Sequence, residues 1–155
     1  MNLSQQNGFL FEKKVHDTLV QTNYLILKEN DIIRKYGKLC FGIDHLIYCR
    51  EIIIGIQDKW THSKPSLSQI NHFVSSLKKI GNFEKKKLFG IYLSKLPITS
   101  GAISSFDYEN SNSSNYFTNI NDCEQEKLLE KLIKLFYLND IYLYELDGSI
   151  IMLDY

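Results

Sequence analysis

The chain is poor in cysteine. It has three, Cys40, Cys49 and Cys123, an odd number with no C-x-x-C pair. That count and spacing fit neither a disulfide framework nor a cysteine-built zinc site, and they suit a reducing compartment. No apolar run is long enough to span a bilayer, which argues against a membrane protein. The opening residues, Met1-Asn2-Leu3-Ser4-Gln5-Gln6, do not read as a signal peptide. The expected location is inside a cell: cytoplasm, nucleus or a viral factory. His45, His62 and His72 match no zinc spacing. Internal repeats are missing, as is any helix-turn-helix or zinc-finger reading head. Net charge is missing too, at a formal value of zero. That alone argues against a polyanionic partner.

What is present points to a folded globule. The sequence is 44% hydrophobic and 13% aromatic, well outside the composition of disordered chains. A length of 155 residues suits one domain whose core is stable without disulfides. The zero net charge hides a division. Residues 1–100 carry 15 Lys and Arg against 8 Asp and Glu, and residues 101–155 carry 3 against 10. If the fold keeps the halves apart, the surface is bipolar, with a basic side able to attract a polyanion.

Periodicity predicts the elements. Phe11, Val15 and Leu19 recur at four-residue spacing, so residues 5–22 read as a helix with Ser4 as N-cap. Residues 24–28, 41–49 and 52–57 read as strands. Only Cys49-Arg50-Glu51 joins the last two, so they are expected as antiparallel neighbours. Ile52 to Ile56 reads as a strand buried on both faces. Leu67, Ile70, Phe73, Val74, Leu77 and Ile80 form the stripe of a helix that starts after Pro65-Ser66 and ends at Gly81. Residues 87–94 read as a further strand. Residues 97–123, rich in Ser and Asn, read as a long loop or insertion. An acidic-start helix is expected over 124–138, then a hairpin of Ile141–Leu146 and Ser149–Leu153 about the Asp147-Gly148 turn. The fold class is α/β (α+β): a central mixed sheet flanked by helices, with core order α-β-β-β-α-β.

Three polar residues stand where a core reading does not want them. Asp44 interrupts Gly42-Ile43-Asp44-His45-Leu46-Ile47, and Gln57 and Lys59 follow the buried isoleucine run. Alternation puts Gln57 and Lys59 on one face of their strand and Asp58 on the other. Hairpin pairing brings Asp44 close to Gln57 and Lys59. Charges near a sheet core are costly unless paired or bound to metal.

Asp44 followed thirteen positions later by Gln57-Asp58-Lys59 resembles the signature of the PD-(D/E)XK nuclease superfamily. The segment Gly8-Phe9-Leu10-Phe11-Glu12-Lys13-Lys14-Val15 is similar to that superfamily's first helix, where a glutamate often joins the site. The Gln-x-Lys form is similar to Mrr-type restriction endonucleases, and archaeal Holliday-junction resolvases share the helix-plus-hairpin arrangement. The resemblance covers about residues 5–95. Residues 96–155, with the loop, the acidic helix and the terminal hairpin, are an elaboration on that core.

The resemblance implies a restriction endonuclease-like fold and a metal-dependent endonuclease hydrolysing DNA, restriction-like or junction-resolving. Asp44 would be the main ligand of Mg²⁺, or of Mn²⁺ as substitute. Gln57 would give a neutral oxygen, Asp58 its backbone carbonyl, and Glu12 a direct or water-mediated contact. Lys59 would orient the attacking water and steady the phosphate. The usual proline before the aspartate is Ile43 here, and Gln57 removes one negative charge, which favours a single-metal mechanism. Gln69 resembles a glutamine that some members place near the site. DNA contacts are expected from Lys13, Lys14, Lys35, Lys38, Lys64, Lys78 and Lys79, with Arg34 and the Lys85-Lys86-Lys87 run as further phosphate contacts. A homodimer would cut both strands, and no small-molecule cofactor is expected. The competing reading is a catalytically inactive nucleic-acid-binding or assembly protein of the same fold.

Overall fold

The computed structural model describes residues 1–153. The chain opens with α1 (Leu3–Val20), whose Phe11, Val15 and Leu19 are buried. Its N-cap is Asn2, not Ser4. Asn2 Oδ1 accepts the Gln5 N–H at 2.8 Å, and Gln5 Oε1 accepts the Asn2 N–H at 3.0 Å. This reciprocal box needs Glu or Gln three residues after the cap, and Ser4 has Asn7 there.

Next come β1 (Leu25–Lys28), α2 (Glu29–Tyr36), a 3₁₀ turn at residues 38–40, β2 (His45–Cys49) and β3 (Ile52–Lys59). Then follow α3 (Leu67–Glu84), β4 (Lys87–Ser94), α4 (Ser100–Asn112), β5 (Tyr116–Asn121) and α5 (Gln125–Leu138). The sheet order is β1-β2-β3-β4-β5. β1–β2 and β2–β3 pair antiparallel, and β3–β4 and β4–β5 pair parallel. This mixed, helix-flanked sheet is consistent with the expected restriction endonuclease-like core, with α2 added after β1.

Each face of the sheet carries its own core. One packs Phe11, Val15 and Leu19 of α1 and Leu128, Leu132 and Phe136 of α5 on Ile47, Ile54, Ile56 and Ile91. The other packs Ile70, Phe73, Leu77 and Ile80 of α3 and Phe106 of α4 on Leu46, Ile53, Leu88 and Phe117. Gly55 in β3 is what lets α3 lie this close. A Cβ there would sit 2.2 Å from Leu77 Cδ2.

Several expectations are corrected. Residues 41–44 are not strand, because Gly42 has φ +85°. Gly81 does not end α3, which continues to Glu84 and closes at Lys85 in the left-handed region, with φ 55°. A glycine inside a helix is tolerated where its neighbour needs the space, and a Cβ at Gly81 would meet Leu88 Cγ at 2.8 Å. Residues 97–123 are not a loop. Thr99 caps α4, and burial of Ala102, Phe106 and Phe117 holds α4 and β5 in place. The expected C-terminal hairpin is reduced to one bridge, Tyr144 with Ile150. Its Asp147-Gly148 turn does form and the Ile151 N–H donates to Leu143 O at 2.9 Å, but only Ile141 and Leu143 are buried while residues 145–150 are exposed, so the ladder stays short. Ile52 is 40% exposed, so two-sided burial begins only at Ile53.

The three cysteines are free thiols, Cys40 and Cys49 buried and Cys123 exposed. No helix among the described residues is long and apolar enough to cross a membrane. The two charge halves are not kept apart. Lys14 pairs with Glu126 at 3.0 Å and Lys78 with Glu109 at 3.1 Å, each joining the basic half to the acidic one.

Candidate active site

The site is built on the open end of the β2–β3 hairpin. The chain enters β2 through Gly42, whose positive φ suits glycine and whose N–H donates to Glu29 Oε2 at 3.0 Å. Asp44 then carries the pairing one step beyond the strand, its N–H donating to Ile56 O at 2.9 Å. Past that point β3 has no main chain beside it on the β2 side, while its other edge stays paired with β4 as far as Lys59. The Asp44 carboxylate fills the role of the missing acceptor, taking the Asp58 N–H at 2.8 Å. Two hydrogen bonds to one strand thus fix the aspartate.

Alternation distributes the remaining groups. Leu46 and Ile53 belong to the α3-side core, so Asp44, Gln57 and Lys59 fall on that face. Ile47, Ile54 and Ile56 belong to the α1-side core, so His45 and Asp58 fall on the other. The two sets meet at the sheet edge. A cavity of about 690 Å³ is lined by Glu12 from α1 together with Asp44, Gln57, Asp58 and Lys59. Gln57 and Lys59 also line an adjoining recess of about 380 Å³ with Gln69, His72 and Tyr92. The structure therefore brings together all five residues singled out from the sequence.

The electrostatics are those of an acidic site short of positive charge. Burial pushes the Asp44 carboxyl up to about 8, with Asp58 and Glu12 adding repulsion and the Asp58 N–H opposing. Burial, then Asp58, also raises Glu12. Lys59 lines the cavity but makes no ion pair among the described residues.

The donor set fits a hard cation. Gln57 Oε1 is buried with no hydrogen-bond partner, and an amide oxygen so placed is satisfied by a cation or a donor from a ligand. No group of three or more His, Cys, Asp or Glu among the described residues could hold a metal. The set is instead two carboxylates, Asp44 and Glu12, with amide and main-chain oxygens. That suits Mg²⁺, which keeps several waters, better than zinc.

One part of the site escaped the sequence reading. Asp58 Oδ2 lies 2.5 Å from His45 Nε2, with side-chain exposures of 3% and 0%. Burial pulls His45 down, but Asp58 outweighs it and holds the imidazole above its ordinary value. His16 of α1 stacks on His45 with centroids 6.1 Å apart. Burial lowers His16, with Lys28 and His45 adding to the effect. One oxygen of the Asp58 carboxylate is thus engaged by histidine, while Asp58 Oδ1, like Gln57 Oε1, is buried with no hydrogen-bond partner among the described residues. The pair was available from alternation, since His45 and Asp58 share a face.

The expected DNA contacts divide into two groups. Lys13 pairs with Asp17 at 2.8 Å, Lys14 with Glu126, Lys78 with Glu109, and Lys35 lies 4.9 Å from the centroid of the Tyr48 ring. Lys38, Lys64 and Lys79 have no such partner among the described residues. Gln69 borders the site, but its Oε1 accepts the Ser66 N–H at 3.0 Å in the N-terminal box of α3. His72 is structural, with Nε2 2.9 Å from Phe41 O, and His62 contacts Lys95 at the surface.

No protein-family model matches the chain, and no curated protein matches it. Among solved structures it is similar to the crystal structure of a repair endonuclease from Pyrococcus abyssi. That similarity has a TM-score of 0.39 and 14% identity, over 51% of this chain and 32% of that one. The matched part is therefore about a third of the endonuclease's length. So slight a likeness carries no functional weight.

Proposed function

We propose that the protein is a metal-dependent endonuclease that hydrolyses DNA phosphodiester bonds. One observation carries the reading: Asp44, Glu12, Lys59 and the unpartnered, buried Gln57 Oε1 border one cavity. Gln-x-Lys after a hairpin aspartate, with a helix glutamate beside it, is the arrangement that the PD-(D/E)XK resemblance implies.

Asp44 and Gln57 would hold Mg²⁺, with Glu12 contributing directly or through water. The bound cation supplies a positive centre that acidifies water and draws charge off the scissile phosphate. Asp44 is kept in position by its hydrogen bonds to β3. Lys59 directs its ammonium at charge that develops only in the transition state, where it is worth most. The His45–Asp58 pair ties the start of β2 to the end of β3 from behind, which keeps Gln57 and Lys59 in register. Lys38 and Lys64, without a partner among the described residues, are available to the phosphates of a bound duplex. A homodimer would set two such sites on opposite strands.

The test is cleavage of supercoiled plasmid and of a synthetic four-way junction in Mg²⁺, Mn²⁺ or EDTA, beside Asp44→Ala. Metal-dependent cutting lost in the variant is the expected result. The preferred substrate then separates a restriction-like from a junction-resolving enzyme. Well-folded protein that cuts neither substrate in either metal would overturn the reading.

A further inference from the structure

We propose that the end of the sheet opposite the site is a second binding surface, one that takes single-stranded nucleic acid. β3 and β4 run parallel, so their first residues share one end of the sheet, next to the Arg50-Glu51 turn and the close of α3. β3 is eight residues long, which puts this end about 25 Å from Lys59 at the usual rise per residue. A cavity of about 1010 Å³ opens there, lined among others by Arg50, Lys85, Lys86, Lys87, Tyr142 and Tyr144. The same three lysines border a second recess of about 400 Å³, whose lining holds no carboxylate. The lysine run therefore stands between two hollows.

These cations are uncommitted. Arg50, Lys85, Lys86 and Lys87 make no side-chain hydrogen bond or ion pair among the described residues, whereas Lys13, Lys14 and Lys78 are each paired with a carboxylate. The run is also anchored. Lys85 caps α3 in the left-handed region, and its N–H donates to Gly81 O. Three carboxylates share the larger cavity. Glu84 is engaged by Lys35 and the Tyr36 hydroxyl, and Asp140 accepts the Tyr142 hydroxyl, so Glu51 alone is uncommitted. The surface left for a ligand is cationic and aromatic.

That combination selects the partner. Consecutive lysines match the repeated phosphates of a polynucleotide, and tyrosine rings in a hollow offer stacking to bases. A duplex keeps its bases turned inward and gives the tyrosines nothing to stack on. A flat anionic bilayer reaches the lysines but not the rings in the recess.

The experiment is fluorescence anisotropy of a labelled oligothymidylate in EDTA, which prevents metal-dependent cleavage. Wild type is compared with Lys86→Glu/Lys87→Glu, Lys86→Arg/Lys87→Arg and Tyr142→Ala, each checked by circular dichroism. The charge-reversed protein is expected to bind at least tenfold more weakly. Its salt slope should be shallower by about 1.4, at roughly 0.7 per lost single-strand phosphate contact. The arginine variant keeps wild-type affinity, and Tyr142→Ala weakens binding about fivefold or more, as removal of one stacking partner does. Absence of oligothymidylate binding by wild type overturns the proposal. So does wild-type affinity in Lys86→Glu/Lys87→Glu or Tyr142→Ala, or equal affinity for a duplex of the same length. Binding here is read without cleavage, so failure of the nuclease reading leaves this result standing, and the reverse holds too.

Discussion

The two ends of β3 are opposites. At its last residues, burial and the Asp58 carboxylate raise both Asp44 and Glu12, and Lys59 lines the same cavity. At its first residues, Arg50 and Lys85 to Lys87 stand around a hollow without side-chain partners among the described residues. One end stores negative charge under partial burial, which is expensive and specific. The other spreads positive charge in solvent, which is cheap and forgiving. A strand that is merely stable needs neither. The contrast shows why the sequence-wide charge of zero says so little: the chain segregates charge along a strand, not between its halves.

If the comparison is right, the ends must respond differently to substitution. The largest effect is expected from Asp58→Ala, which strands a buried histidine. Breaking such a pair typically costs about 3–5 kcal/mol, and urea denaturation reads it directly. Glu51→Ala at the other end is expected within about 0.5 kcal/mol of wild type, and equal losses would erase the contrast. Lys59→Ala comes next, lowering metal-dependent cleavage by about 10²–10³-fold as loss of a transition-state charge partner does. Lys87→Ala should leave the cleavage rate of a short duplex within about twofold, since phosphates held some 25 Å away add affinity and not chemistry.

A third effect is one of pH. Burial raises Asp44 in the folded protein to about 8 from an ordinary value near 4. The folded state therefore prefers the protonated acid. The contribution of Asp44 to stability in EDTA should be fully present below about pH 4, decline as pH rises from there to about 8, and level off above. Asp44→Asn removes this decline and should stabilise the metal-free protein at pH 8, by at most about 5 kcal/mol, the linkage limit for a rise from near 4 to about 8. Thermal melts across that range check it, and parallel curves for the two proteins would refute it. Added Mg²⁺ should restore wild type and leave the variant unchanged, by mass action on the folded state. The smallest effect belongs to Lys13→Ala. Its exposed pair with Asp17 should be worth less than about 0.5 kcal/mol, visible if at all only at low salt.

Local pattern carried much of this into view. The stripe of α3, the run of β3 and the span of β4 were legible because each has an unbroken period and one face to bury. The site was legible for the opposite reason. Asp44, Gln57 and Lys59 break the apolar pattern at the end of paired strands, where only function or pairing repays the cost. What stayed illegible depended on distant partners. The serine- and asparagine-rich stretch 97–123 has little period of its own, and α4 and β5 exist because Phe106 and Phe117 stack over the α3-side core. The terminal Asp-Gly turn had the right chemistry, but residues 145–150 around it are exposed and the flanks pair through a single bridge.

The sequence by itself determined the order of the main elements, the hairpin of β2 and β3, and the polar trio at its open end, because each is set by neighbours in the chain. Tertiary structure alone decided that Glu12 lines the same cavity as that trio and that Asp58 Oδ2 is engaged by His45. It also decided that Lys14 and Lys78 are paired with Glu126 and Glu109 while the side chains of Lys85 to Lys87 have no partner among the described residues. Those outcomes turn on which side chains meet across the sheet, and electrostatics and burial act over distance in space, not over separation in sequence.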